Sequence, residues 1–159
     1  MNILSQIIHN EMFMGTLLAW FAAQLLKTLI NWIENKKFDK ERIFGCGGFP
    51  SSHSSTVSAL ATTVGINCGF GGYEFALAFA FGMIVIYDAL NVRLETGKQS
   101  VVINHLLTAE EIRDILLSAD KDKRTKAILK EYVGHTPTQI VAGIIIGILV
   151  GWGYCALYV

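Results

Sequence analysis

The sequence predicts an all-α integral membrane protein, a helical bundle of about four transmembrane helices with added cytoplasmic interfacial helices. Three observations predict it. Charged residues make up only 16% of the 159 residues, where soluble domains carry about a quarter. Four segments are runs of apolar or small residues near the roughly 20 needed to cross a bilayer. The basic residues fall into stretches that share one side of a four-span chain. The composition also excludes other classes. A hydrophobic fraction of 52% is incompatible with a disordered chain. Cys46, Cys68 and Cys155 show no CxxC spacing, which excludes a disulfide scaffold and argues against zinc. The 13 basic and 13 acidic residues cancel, so no net charge points to nucleic acid.

The first span is read over residues 12–32, interrupted by Lys27. It is no cleavable signal peptide, because no basic segment precedes it, Lys27 breaks the apolar run and no A-x-A site follows. The second, residues 54–70, is short, rich in small residues and the least hydrophobic. The third covers 74–92, with Glu74 at one edge and Asp88 near the other. The fourth, 138–158, carries no charge. The chain reads as a single domain over 1–159. Apart from Lys27, every Lys and Arg lies in 33–53 or 93–130, while both ends and the turn at Gly71, Gly72 and Tyr73 have none. Four spans put both basic stretches on one side. The positive-inside rule makes that side cytoplasmic and leaves both termini outside the cell membrane.

The long inner stretch is expected to hold interfacial helices over 97–107, 108–119 and 120–133. Thr108 and Glu111 form a capping box ahead of the second. Asp120 and Asp122 lack the Gly and later Glu of a calcium loop. Gly143, Gly147 and Gly151 form a stripe of small residues that predicts a helix-packing face, within the chain or across a homodimer. Trp20, Trp32, Trp152, Tyr154 and Tyr158 read as interface aromatics, and His9 and His105 as structural.

Two segments resist a purely structural account. In GGFPSSHS (47–54), Pro50 suits the first turn of a helix, whose free N–H groups and dipole favour an anion, and Ser51, Ser52 and His53 stand beside it. In GHTPTQ (134–139), Gly134 can end one helix, Thr136 can cap the next and Pro137 suits its first turn. An ordinary interfacial cap explains either segment alone. By the topology, though, both helices start on the same face, which brings His53 and His135 to one side. Lys27 lies about 8 Å of helical rise from the inner end of its span, and Asp88, Arg93 and Lys98 collect at the same level. Ionisable residues inside membrane spans are costly and mark functional sites by default. Their ordinary readings are a snorkelling Lys27 and a structural ion pair of Asp88 with Arg93 or Lys27. Lys36, Lys37, Lys40, Arg42 and the 121–130 cluster are read as topology and headgroup charges.

These segments resemble the divergent branch of the PAP2 superfamily, membrane proteins related to acid phosphatases and vanadium haloperoxidases. The resemblance runs through AAQLLK (22–27), GGFPSSHS (47–54), YDALNVRLETGKQ (87–99) and GHTPTQIVAG (134–143). PSSH resembles the family's P-S-G-H, and HTPTQIVAG its H-x-P-T-D-x-x-A-G. It implies a PAP2-like core without metal or cofactor, in which His135 attacks phosphorus to form a phosphohistidine and His53 protonates the leaving oxygen. Backbone N–H groups at Ser52 and His53, beside Ser51, would bind phosphate, and Lys27 would clamp it. Three departures stand out. Glu34 occupies the place of a family Arg-Pro, Leu129 that of an Arg, and Gln139 that of the Asp which orients the nucleophile. We therefore expect Arg93 and Lys98 to supply cations and Asp88 to orient His135, with Gln139 as a neutral partner of the ring.

The implied function is hydrolysis of a membrane lipid phosphate, a phosphomonoester or diphosphate such as phosphatidic acid, phosphatidylglycerophosphate or a polyprenyl phosphate. The alternative is a non-catalytic membrane protein that binds phosphate or phospholipid headgroups. Vanadium-dependent halide oxidation belongs to larger soluble relatives.

Overall fold

The structure, a computed structural model, describes residues 2–36, 48–106 and 134–158. Six helices occur in chain order: α1 (Ile3–Ile8), α2 (Glu11–Asn35), α3 (Ser52–Cys68), α4 (Tyr73–Leu90), α5 (Val92–Leu106) and α6 (Pro137–Tyr158). No strand is present among the described residues. The membrane helical bundle read from the sequence is the observed fold. The helices expected over 108–119 and 120–133, with their capping box, lie outside the described residues.

Local signals set most of the ends. Asn2 and Asn10 cap α1 and α2, their side chains accepting from the N–H groups of Ser5 and Phe13 at 2.9 and 3.0 Å. The α2 helix closes on Lys36 in the left-handed region, φ 51°. Gly69, φ +86°, ends α3 with a turn conformation that a side chain would disfavour. Two boundaries differ from expectation. Ser51 is the cap of α3, so Pro50 stands before the helix rather than in its first turn. The helix α5 starts at Val92, directly after Asn91, and absorbs the segment expected to begin at 97. Nothing interrupts it there, since the stretch from Val92 holds no Pro and its single Gly97 is tolerated in a helix.

Three stretches combine the length and hydropathy of a membrane crossing: Glu11–Ile33, Tyr73–Leu106 and Pro137–Tyr158. The 17-residue α3 is shorter and less apolar than these, and its position explains why. It sits at the centre, packed against α2, α4 and α6, so its serines and threonines meet protein on most sides. Large side chains such as Leu77, Ile84 and Leu149 point outward instead, each more than 60% exposed, which suits a lipid-facing surface.

Small residues let the axes approach. A Cβ on Gly143 or Gly147 would run into the carbonyl oxygen of Ser51 or Ser55, and one on Gly151 would lie 3.1 Å from that of Ala59. Ala19 and Ala23 are fully buried on α2, and Ser55 Oγ donates to Ala19 O at 3.1 Å. Gly82 of α4 lies over Val57. These pairings run α3 parallel to α6 and antiparallel to α2, and the Ala89–His135 contact puts the end of α4 with the start of α6. The starts of α3 and α6 and the ends of α2 and α4 therefore share one end of the bundle. The stripe of Gly143, Gly147 and Gly151 is covered by α3 within the chain, so this face is not available for the homodimer considered from the sequence.

Replacing Gly147 by Leu should drive a side chain into the Ser55 carbonyl and cost about 1–3 kcal/mol, read as a lowered melting temperature in detergent. Gly153→Leu, where nothing lies within 4 Å of an added Cβ, should leave it within a degree or two; equal effects would show that close α3–α6 contact does not stabilise the bundle.

Candidate active site

The site is built where α3 and α6 begin. A backbone bond joins the two starts, Ser51 N–H donating to Gln139 O at 3.0 Å. Ser51 is fully buried, and its Oγ accepts from Ser54 N at 3.3 Å and from the Ser54 hydroxyl at 3.0 Å. Both polar groups of Ser51 are thus engaged in capping and stitching, which departs from the substrate contact expected of it. The next N–H groups, of Ser52 and His53, fall in the first turn, where no intrahelical carbonyl reaches them. These two N–H groups point out of the start of α3.

At the start of α6, Thr136 and Gln139 form a reciprocal capping box. Gln139 N–H donates to Thr136 Oγ1 at 3.4 Å, and Thr136 N–H donates to Gln139 Oε1 at 3.1 Å. The same Oε1 lies 3.1 Å from His135 Nδ1. A backbone N–H can only donate, so the amide atom facing it must be oxygen. His135 Nδ1 therefore carries the proton and donates, which leaves the lone pair on Nε2. The ring is 1% exposed, and its backbone N–H donates to Ala89 O at 3.3 Å, anchoring it to the end of α4. Gly134 lies against the backbone of Leu94, with no room for a side chain.

The His53 and His135 rings meet edge to face, with centroids 5.8 Å apart and planes at 65°. His53 Nδ1 and His135 Nε2 are buried without a hydrogen-bond partner among the described residues. Burial lowers the pKa of His135 below the ordinary 6.5. The Gln139 acceptor and the nearby Gly48 backbone carbonyl oppose that shift, while the charges of Lys27 and Arg93 reinforce it. The ring is a neutral base at pH 7.

Lys27 is 2% exposed, so it does not snorkel to water. Its Nζ donates to Ser52 Oγ at 3.3 Å, a buried ammonium placed at the first turn of α3. Its stem passes Gly48, where a Cβ would sit 3.4 Å from Lys27 Cγ and Cδ and where φ is +86°. The positive φ favours glycine there, while a Cβ would make an ordinary contact with the lysine stem.

Asp88 and Arg93 form an ion pair, Nε to Oδ2 at 2.6 Å, each side chain about 40% exposed. The charges of Arg93, Lys27 and Asp88 all act on the His53 ring. The orienting bond to His135 that was expected from Asp88 is made by Gln139 instead, because Gln139 stands one helical turn from the ring it holds. Lys98 is not brought in. Its side chain is 62% exposed and its Nζ is 2.6 Å from Glu95 Oε1. With α5 running unbroken from Val92, five residues turn Lys98 about 140° away from Arg93.

Two features went unread in the sequence. Thr136-x-x-Gln139 is itself a capping-box spacing, which was available from the residues alone. Gln24, three residues before Lys27, is 8% exposed with Oε1 unpartnered, and a glutamine in a membrane span was the available signal. Among the described residues no cluster of three His, Cys, Asp or Glu is placed to hold a metal ion.

Nitrogen-15 spectroscopy of the wild-type protein above pH 7 should find the His135 proton on Nδ1. Gln139→Leu should turn this into a mixture of tautomers, and an Nε2-protonated ring in the wild type would contradict the assignment.

Comparison with known proteins agrees with these motifs. The model of the Divergent PAP2 family matches residues 8–150. The chain is 36% identical to the Uncharacterized membrane protein YuiD of Bacillus subtilis (strain 168) over 149 residues, covering 91% of this chain and 93% of that protein. No solved structure matches it. With the match running through both histidine segments and all the long helices, the chain belongs to the divergent PAP2 family.

Proposed function

We propose that the protein is a membrane lipid-phosphate phosphatase working through a phosphohistidine. One observation carries the reading: a buried His135 ring and a half-buried His53 ring, each with a buried unpartnered nitrogen, lie side by side where a buried lysine and two helix starts concentrate positive potential. Family membership supports it. Phosphate would sit against the N–H groups of Ser52 and His53 and the Lys27 ammonium, charges fixed before the reaction begins. The His135 Nε2 lone pair attacks phosphorus, and the bond from phosphorus to the leaving oxygen breaks. His53, in its protonated form, gives its proton to that oxygen, which departs as the lipid alcohol. Neutral His53 then takes a proton from water as the water attacks the phosphohistidine, which releases inorganic phosphate and restores both rings.

The substrate is proposed to be a lipid because the cradle sits at the end of a bundle whose outer surface is apolar. A headgroup can reach the cradle while its tail stays in the bilayer. The site is proposed to face the cytoplasm with both termini outside, from the bias of basic residues. Common placement of the α3 and α6 starts with the α2 and α4 ends supports the four-span parity behind that assignment.

A second reading, a phospholipid binder without turnover, draws on the ion pair that compensates Arg93 and on the neutral Gln139 in place of a carboxylate. The two readings separate cleanly. Detergent-purified protein should release phosphate from a panel of lipid phosphates and be inhibited by vanadate. His135→Ala should reduce release to background, and His53→Ala should slow it by about 10²–10⁴. Headgroup binding that survives in both variants, with no turnover by the wild type, would establish the binder.

The pH profile follows from the lowered pKa of His135. The nucleophile acts as the neutral base, so the acid limb of the profile should lie below 6.5, and Gln139→Glu should move that limb upward. An acid limb above 6.5 in the wild type would contradict the assignment of His135.

Sidedness can be read with Gly71→Cys and Lys98→Cys, each in a chain lacking its three native cysteines. An impermeant thiol reagent on intact cells should label the first and not the second; the reverse pattern would invert the topology.

A further inference from the structure

Three buried side-chain atoms lack a hydrogen-bond partner among the described residues: His53 Nδ1, His135 Nε2 and Gln24 Oε1. The first two belong to the chemistry proposed above. The third has no role in it. Buried polar groups in folded proteins are paired almost without exception, so an orphan calls for an absent ligand or a specific cause. The backbone carbonyl of Gln24 is engaged, accepting from Thr28 Oγ1 at 2.8 Å. The side-chain amide is a separate matter. It stands on the face of α2 that carries Lys27, three residues earlier, and it is more than nine-tenths buried.

Depth gives this amide its meaning. The helix α2 runs toward the site, so Gln24 lies about 4.5 Å further from the cradle end than Lys27. Lys27 meets phosphate through its position beside Ser52. The group one turn deeper meets what is attached to phosphate, the first atoms of the lipid alcohol on their way into the bilayer.

We propose that Gln24 is a substrate-contacting specificity residue, whose amide oxygen accepts a hydrogen bond from a hydroxyl of the lipid alcohol next to the phosphoester and selects glycerol-based phosphate lipids with a free hydroxyl over polyprenyl phosphates. The inference rests on the phosphatase reading for its substrate class. The unpartnered atom is a carbonyl oxygen, which only accepts, so its match is a free glycerol hydroxyl rather than an ester oxygen. A prenyl chain offers only carbon and hydrogen at that depth and leaves the amide desolvated and unpaired. Sites built around a hydrogen bond discriminate strongly against analogues that cannot make it. Selection here works by that penalty on the wrong lipid.

The test uses the full-length protein in detergent micelles, with lysophosphatidic acid, which carries a free glycerol hydroxyl, and farnesyl phosphate as probes. Gln24→Met keeps the length of the side chain and removes the amide; Gln24→Leu serves if that variant folds poorly. In the wild type kcat/KM should favour lysophosphatidic acid. The substitution should reduce that preference by about ten-fold or more, through loss on lysophosphatidic acid with farnesyl phosphate unchanged or improved. Equal loss on both lipids, or an unchanged ratio, would overturn the proposal and leave Gln24 as a structural residue hydrated by a buried water. The same ratio is measured as binding affinity in the His135→Ala background, which needs no turnover. A wild type that hydrolyses neither lipid therefore sinks the phosphatase reading, while the binding ratio still decides the role of Gln24.

Discussion

The carbonyl oxygens of Ser51 and Ser55 occupy the space where side chains at positions 143 and 147 would otherwise lie. That contact between two backbones fixes how far α6 can slide or rotate against α3. The two helices run parallel, so their first turns come level, and the Ser51–Gln139 bond locks the register. His53 and His135 owe their 5.8 Å separation to this constraint rather than to any bond between them. A bulkier seam would spread the helix axes, and the two rings would part with them. The packing of small residues, which supplies much of helix association in lipid, here sets the spacing of the two imidazoles as well.

Electrostatics follow from the same frame. Lys27 is buried beside the first turn of α3, so its charge and the helix dipole act together on a spot shielded from bulk water, where fields are strong. His135 is held by an amide rather than a carboxylate. A neutral holder fixes the tautomer through geometry alone and gives less stabilisation to the imidazolium. Asp88 pairs with Arg93 instead. The surroundings of the two rings thus keep a stronger positive bias than they would with a carboxylate behind His135.

Much of this was legible in the sequence because it depends on local rules. Apolar runs gave the helices, cap residues their starts, and the four-residue spacing of Gly143, Gly147 and Gly151 a packing face. What failed depends on rotation and reach. Lys98 looked like a neighbour of Arg93 by sequence number, yet a helix that begins at Val92 turns it outward to Glu95. Asp88 looked like the natural holder of an imidazole because it is a carboxylate nearby. The bond instead goes to the residue whose position on the helix aims it at the ring. Gln24 was hidden for a different reason: burial without a partner is a property of three dimensions, and a single glutamine in an apolar run carries no sign of it.

The centrality of α3 has a consequence for biogenesis. Its short length and polar face make it a poor independent tenant of hydrocarbon, so it relies on α2, α4 and α6 for shielding. The ribosome delivers α6 after these three. Until that helix enters the bilayer, the seryl and threonyl flank of α3 has no permanent cover, and the pair of imidazoles does not exist. The sealed core and the paired rings therefore arrive together with α6, and a chain cut before it would carry neither.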